Sequence, residues 1–334
     1  MSKLKIFAFC TALSFSSAVS ANITPLNVYT EEFFSADWGP GPEIKKMFEQ
    51  TYSQCHLNLI PFDSRTTMLN RLRLEGKKTK ADLVLGLDNY QLEAAKKSGL
   101  FAPNQVDLTQ LALPITWDSD TFLPYDFGQY AFVYDKTKLD NPPKSLKELV
   151  ERQDLKVIYQ DPRTSSVGRG LLVWLNQVYE VEQVPNAWKT LAQHTVTVGK
   201  GWTESYGAFL KGEADLVLSY TTSPLYHLLQ EQKSQYAATM FEEGSVLQIE
   251  TAAKLAKSEE NECAELFLSF LLTPAAQKEI SIKNVMLPVI AGEIEPHFDA
   301  LRTQQAGTRI LGTDFPSSEQ LKQWIDVWQS ALIK

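Results

Sequence analysis

Ala81-Asp82-Leu83-Val84-Leu85-Gly86-Leu87-Asp88-Asn89 and Ala214-Asp215-Leu216-Val217-Leu218-Ser219-Tyr220-Thr221-Thr222 carry one phrase twice. Each copy follows a basic, glycine-containing stretch and reads as a buried parallel strand that empties into a polar loop. Ligands of open α/β sheets bind at the carboxyl ends of such strands. Two such edges in one chain predict two α/β lobes facing one cleft. A five-residue apolar phrase is common, so the repeat takes its meaning from the pattern around it.

That pattern alternates. Leu26 to Thr30 reads as a strand. Gly39-Pro40-Gly41-Pro42 then starts a helix, since Pro is tolerated in a first helical turn. Ile44, Met47, Phe48 and Tyr52 give that helix one apolar stripe. His56 to Pro61 is the next strand, and Asp63-Ser64 can cap the helix carrying Met68, Leu69 and Leu72. The βαβαβα order implies a parallel sheet with helices on both faces. Near Tyr125 the pattern changes: Gln129 to Tyr134 alternates as a strand of a different sheet, and Val157 to Gln160 leads to a helix opened by Ser165. Ser245 to Ala253 reads as a long strand returning to the first lobe. The expected organisation is therefore a signal segment 1–21, a first lobe of 22–125 with 246–334, and a second lobe of 126–245. Each lobe should be a mixed, mainly parallel sheet flanked by helices, with two hinge strands between them.

Lys3 and Lys5 precede an apolar stretch, Ile6 to Val19, that ends in Val19-Ser20-Ala21. This is the pattern of a secretory signal, too short and loosely apolar for a membrane span, and it predicts a periplasmic protein. Net charge is −8, and loss of the two lysines takes it to about −10. An acidic chain without basic blocks excludes nucleic acid as the expected partner. Cys55 and Cys263 remain after processing; export permits a disulfide between them, and two buried free thiols fit the sequence equally well.

The four histidines are scattered, with no spacing suited to a metal, and no nucleophile elbow, phosphate loop or dinucleotide fingerprint occurs. The expectation is a binding protein with neither cofactor nor catalysis. Asp161-Pro162-Arg163-Thr164-Ser165-Ser166 joins a strand to a helix. Ser165 and Ser166 set hydroxyls beside free backbone N–H groups, a site for phosphate or carboxylate; a plain N-cap is the commoner use. Trp38, Trp202, Tyr220 and Tyr226 sit in predicted loops or at element ends without apolar periodicity. Such rings suit stacking on a flat ligand, and a cationic ring would gain roughly 0.5 to 2 kcal/mol per face. Trp174, Trp188, Trp324 and Trp328 read as packing.

The runs Val28-Tyr29-Thr30, Ala36-Asp37-Trp38-Gly39-Pro40-Gly41-Pro42, Leu69-Asn70-Arg71-Leu72-Arg73, Val157-Ile158-Tyr159-Gln160-Asp161-Pro162-Arg163-Thr164-Ser165 and Leu218-Ser219-Tyr220-Thr221-Thr222-Ser223-Pro224 resemble the periplasmic thiamine-binding proteins of bacterial ABC importers, within the type II solute-binding fold. The resemblance spans nearly the whole mature chain. It implies a monomer that takes thiamine or its mono- or diphosphate between its lobes and delivers it to an inner-membrane permease. It also implies ligand roles for Trp38, Ser165, Trp202, Tyr220 and Tyr226. Two positions depart from the family pattern: Glu31 and Val285 stand where aromatic rings are usual. Glu31 or Asp63 would then pair with the thiazolium cation, and Arg65, beside Ser64, would favour a phosphorylated ligand or face solvent. A second reading keeps the fold with another ligand: a heteroaromatic cation, a phosphonate or ferric iron. A third, an enzyme of pyrimidine degradation, needs a cleft cysteine, and Cys55 and Cys263 lie away from the predicted cleft loops.

Overall fold

A computed structural model describes residues 23–333; the expected signal segment 1–21 lies outside the described residues. Ten strands form one sheet: β1 (Thr24–Glu31), β2 (Cys55–Phe62), β3 (Leu83–Asp88), β4 (Leu123–Asp135), β5 (Val157–Gln160), β6 (Thr195–Gly199), β7 (Leu216–Tyr220), β8 (Tyr236–Ala238), β9 (Leu247–Lys254) and β10 (Leu287–Pro288). The order is β2-β1-β3-β9-β4-β7-β5-β6, with β8 and β10 pairing β4 off that path. At one end β2, β1 and β3 are parallel; at the other β7, β5 and β6 are parallel. Between them β9 and β4 run antiparallel to each other and to their outer neighbours β3 and β7.

Alternate residues explain the layers, because successive strand side chains point to opposite faces. Leu83 and Leu85 enter one core with Leu26, Val28, Ile44 and Phe48, while Val84 enters another with Met68, Leu69 and Leu72. In the second lobe Leu216 and Leu218 join Tyr159, Trp174 and Trp188, while Val217 joins Ile158, Tyr206 and Phe209 on the reverse face. The sheet is thus covered on both sides in each half, as the apolar strand phrases require.

Two expectations change. The strand foreseen as Gln129 to Tyr134 of a separate sheet is the second half of β4, which runs unbroken from Leu123 to Asp135. Its first half pairs with β9 and its second with β7, so the boundary foreseen at residue 125 falls inside one strand. The C-terminal helix Ser318–Leu332, assigned above to the first lobe, buries Leu321, Trp328 and Ala331 in the second core. Its apolar stripe fits the helix Val184–His194, and Trp328 Nε1 donates to Tyr159 Oη at 3.1 Å. In the other direction, the helix Ser223–Glu231 packs Leu225 and Leu229 against the first core.

Cys55 and Cys263 form a disulfide with Cα atoms 5.7 Å apart. It ties the start of β2 to the start of the helix Glu262–Leu271 across a separation of 208 residues. Closing so long a loop restricts the unfolded chain, and such bonds contribute about 2–5 kcal/mol. Replacing both cysteines by alanine is expected to lower the melting temperature clearly, and an unchanged melt of the oxidised and doubly substituted proteins would contradict that stabilisation.

Candidate ligand-binding site

The carboxyl ends of β1, β2 and β3 bring Glu31, Arg65 and Asp88 together. Arg65 opens the helix Arg65–Glu75, whose N-cap Ser64 accepts from Thr67 N at 3.1 Å. A cation in a first helical turn opposes the helix dipole, so its stability must come from elsewhere. Arg65 is 8% exposed, and its Nη2 lies 2.8 Å from Glu31 Oε2 and 2.5 Å from Glu250 Oε1, while Nη1 lies 3.8 Å from Asp88 Oδ2. The sequence left Arg65 to a phosphate or to solvent; instead it turns inward onto carboxylates. Glu31, foreseen facing a ligand cation, takes that guanidinium. Gly86 lies beside this pair. It forms a β-bulge with φ +114°, a region open to glycine, and a side chain there would point at Glu31 and Tyr125 Oη.

Glu250 is the centre of the next ring. Its Oε2 accepts from Tyr125 Oη at 2.8 Å and Asn284 Nδ2 at 3.1 Å, and its Oε1 accepts from Gln248 Nε2 at 2.9 Å. Asn284 also donates to Asp126 at 2.5 Å. Gln248 Oε1 accepts from both Tyr130 Oη, at 2.7 Å, and Tyr220 Oη, at 2.8 Å. Burial pushes all three phenols, Tyr125, Tyr130 and Tyr220, well up, so they remain donors at neutral pH. Tyr220 ends β7, so this chain of bonds joins the two sheet edges across β4 and β9. Val285, one of the two departures, follows Asn284 at φ 55°, a left-handed conformation that strains a β-branched residue.

Four buried carboxyl groups, Glu31, Asp88, Asp126 and Glu250, thus gather about one guanidinium, which pairs with all of them but Asp126. Burial, reinforced by Glu250 and Asp88 and opposed by Arg65, pushes Glu31 up to about 7. Burial and then Glu250 push Asp126 well up too. Asp88 Oδ2, Asp126 Oδ1 and Arg65 Nη1 are buried without a hydrogen-bond partner. Buried charges demand compensation, and a surplus of acid with free acceptor atoms suits a cation that carries N–H groups. Among the described residues no group of three or more His, Cys, Asp or Glu side chains is arranged to hold a metal ion.

The other sheet edge carries the remaining candidates. Ser165 is buried and N-caps the helix Ser166–Val178 through a long 3.5 Å contact to Gly168 N. A side chain on Gly168 would collide with Gln160 O, so glycine lets this helix start lie against β5. Half-buried Ser166 offers its carbonyl to Tyr130 Oη at 3.2 Å. Arg163 is held by Asp161 and lies over Trp328. Trp202 opens the helix Trp202–Leu210, donates Nε1 to Ser219 Oγ at 2.7 Å and stacks on Tyr206 at 4.7 Å. Trp38, Trp202 and Tyr226 are 65%, 40% and 45% exposed, and none of them bonds to the acid cluster. Asp63 is exposed beside the capping Ser64.

Sequence reasoning missed Asp88, Tyr125, Asp126, Tyr130, Gln248, Glu250 and Asn284 as parts of one site. A signal existed: Asp126 and Glu250 interrupt apolar strands, and a charged residue inside a buried strand needs a partner.

This fold, with a buried charged cluster where its two cores meet on β4 and β9, is that of a two-lobed α/β binding protein. The sequence profile of the bacterial extracellular solute-binding proteins matches residues 23–278, and the chain belongs to that family. It is a periplasmic solute-binding protein and not an enzyme. It is 61% identical over 334 residues, all of both chains, to the thiamine-binding periplasmic protein of Haemophilus influenzae. To the protein of that name from Escherichia coli it is 50% identical over 330 residues, 98% of each chain. A solved periplasmic thiamin binding protein superposes with a TM-score of 0.82 at 50% identity, covering 93% of this chain and 96% of that one. Iron-bound HitA from Pseudomonas aeruginosa shares the fold, with a TM-score of 0.75 at 17% identity over 93% of this chain and 100% of that one.

The raised Glu31 has a consequence for pH. Its folded value of about 7 exceeds the ordinary 4.5, so the folded state keeps a proton that the unfolded chain releases. The stabilisation is complete below pH 4.5 and is lost as pH rises through about 7, at most about 3 kcal/mol. Ligand-free wild type is therefore expected to lose more melting temperature between pH 4.5 and 8 than Glu31→Gln. Parallel profiles would show that Glu31 titrates normally.

Proposed function

We propose that this protein captures thiamine, or its mono- or diphosphate, between its lobes and, as a monomer, delivers it to the permease of an ABC importer. The observation that carries the reading is the buried carboxylate surplus beside Tyr220. A thiazolium brings a permanent positive charge and an aminopyrimidine brings N–H donors, and the cluster offers anions and free acceptors. The names of the relatives at 61% and 50% identity support the same ligand. In this reading Trp202, Tyr220 and Tyr226 supply ring faces, with Trp38 at the rim. Ser165 and Ser166 hold the hydroxyl or phosphate end at the helix start, where N–H groups and the dipole favour an anion. Ser64 and Asp63 border Arg65. The hinge is the β4–β9 pair, and closure about it follows the habit of two-lobed binding proteins.

Thiamine should raise the melting temperature, since a ligand at a hundredfold excess over Kd stabilises the folded state by about 2.7 kcal/mol. Melts that stay flat with thiamine and both phosphates, on folded protein, would exclude the assignment. By calorimetry, Ser165→Ala is expected to weaken thiamine monophosphate more than thiamine. Equal losses would remove the phosphate from this helix.

A further inference from the structure

We propose that Arg65 is a built-in competitor for the ligand's positive charge, and that it sets how strongly the cleft prefers a cationic ligand over an anionic, phosphorylated one. The inference rests on the cleft being the ligand site, as proposed above, and gives that site a specificity-determining residue that neither stacks nor caps.

Arg65 already occupies the carboxylates that a ligand cation would use. Glu31, at the end of β1, and Glu250, in β9, stand within 2.8 Å of Nη2, and Asp88, at the end of β3, within 3.8 Å of Nη1. The helix does not explain this placement, because its first turn favours an anion. Nor do the hydrogen bonds of the cluster close on themselves. Arg65 Nη1 and Asp88 Oδ2 are both buried, face each other beyond bonding distance, and have no other partner.

The charged and titratable groups around the guanidinium come from five strands: Glu31 of β1, Asp88 of β3, Tyr125, Asp126 and Tyr130 of β4, Tyr220 of β7 and Glu250 of β9. A cation entering this set must share its carboxylates with Arg65, and two like charges in a low-dielectric site weaken each other's binding. A phosphate meets the opposite situation. Arg65 then attracts it, as does Arg169, whose Nη2 reaches across from the second lobe to Thr66 Oγ1, next to Arg65, at 3.3 Å.

Calorimetry with thiamine and thiamine diphosphate on wild type, Arg65→Met and Arg65→Lys tests this. Arg65→Met should bind thiamine about tenfold more tightly than wild type and shift the preference away from the diphosphate. Arg65→Lys, which keeps the charge, should stay near wild type. Titration in two buffers of different ionisation enthalpy should show Arg65→Met releasing more protons per thiamine bound, because carboxyls freed of Arg65 hold more protons before binding. If Arg65→Met does not fold, Arg65→Met/Glu31→Gln compared with Glu31→Gln alone makes the same comparison at a milder charge imbalance. Thiamine affinity unchanged or reduced on loss of the guanidinium would overturn the proposal and leave Arg65 a strut or a phosphate anchor. Wild type that binds neither ligand would instead remove the functional reading beneath it.

Discussion

The antiparallel pairing of β4 with β9 is the constraint on which the rest of the molecule depends. These strands are the ones that belong to both halves. β4 gives its first residues to β9 and its last to β7, while β9 faces β3 on its other side. Parallel sheets need crossover helices and cannot be joined end to end by a simple continuation. With an antiparallel pair inserted between them the direction reverses three times, at β3/β9, β9/β4 and β4/β7, so the two parallel sets run oppositely and their carboxyl ends turn toward each other. The same pair carries Asp126, Gln248 and Glu250. The element that joins the lobes therefore also brings acid to their boundary.

Acid at that place has consequences. An isolated carboxylate in a dry interior is costly, and pairing recovers the cost only with good geometry and further hydrogen bonds. Glu250 meets that condition through Arg65, Tyr125, Asn284 and Gln248. Glu31 meets it less well: its Oε2 lies close to Arg65 without the alignment of a hydrogen bond, and burial prevails over attraction in raising its pKa. The cluster is strained in charge while the surrounding sheet is well packed. Such local disagreement inside a consistent framework is where a binding function is expected.

On the other edge the chemistry is mainly aromatic. Trp202 stacks on Tyr206, and Tyr206 stacks on His227 while bonding to its Nε2 at 3.0 Å. His227 in turn bonds Glu231 at 2.7 Å. The half-exposed Trp202 face is thereby backed by a fixed column. A rigid ring loses little freedom when a flat ligand settles on it. One edge thus offers charge and the other offers surface.

Much of this was legible in the chain itself. The repeated Ala-Asp-Leu-Val-Leu phrase, the proline and serine punctuation and the apolar stripes located the parallel strands, their helices and the caps at Ser64 and Ser165, because those features act over a few residues. The long runs shared with a known family identified the class. The sequence could not show that Arg65 and Glu31 are partners, that Glu250 lies 185 residues away from Arg65 yet touches it, or that Cys55 meets Cys263. Nor did it show that β4 is one strand or that the last helix returns to the second core. Local pattern carries no register between distant strands. Which buried charge meets which is decided only when β1, β3, β4 and β9 are laid side by side, and there the desolvation of each carboxyl group depends on all the others.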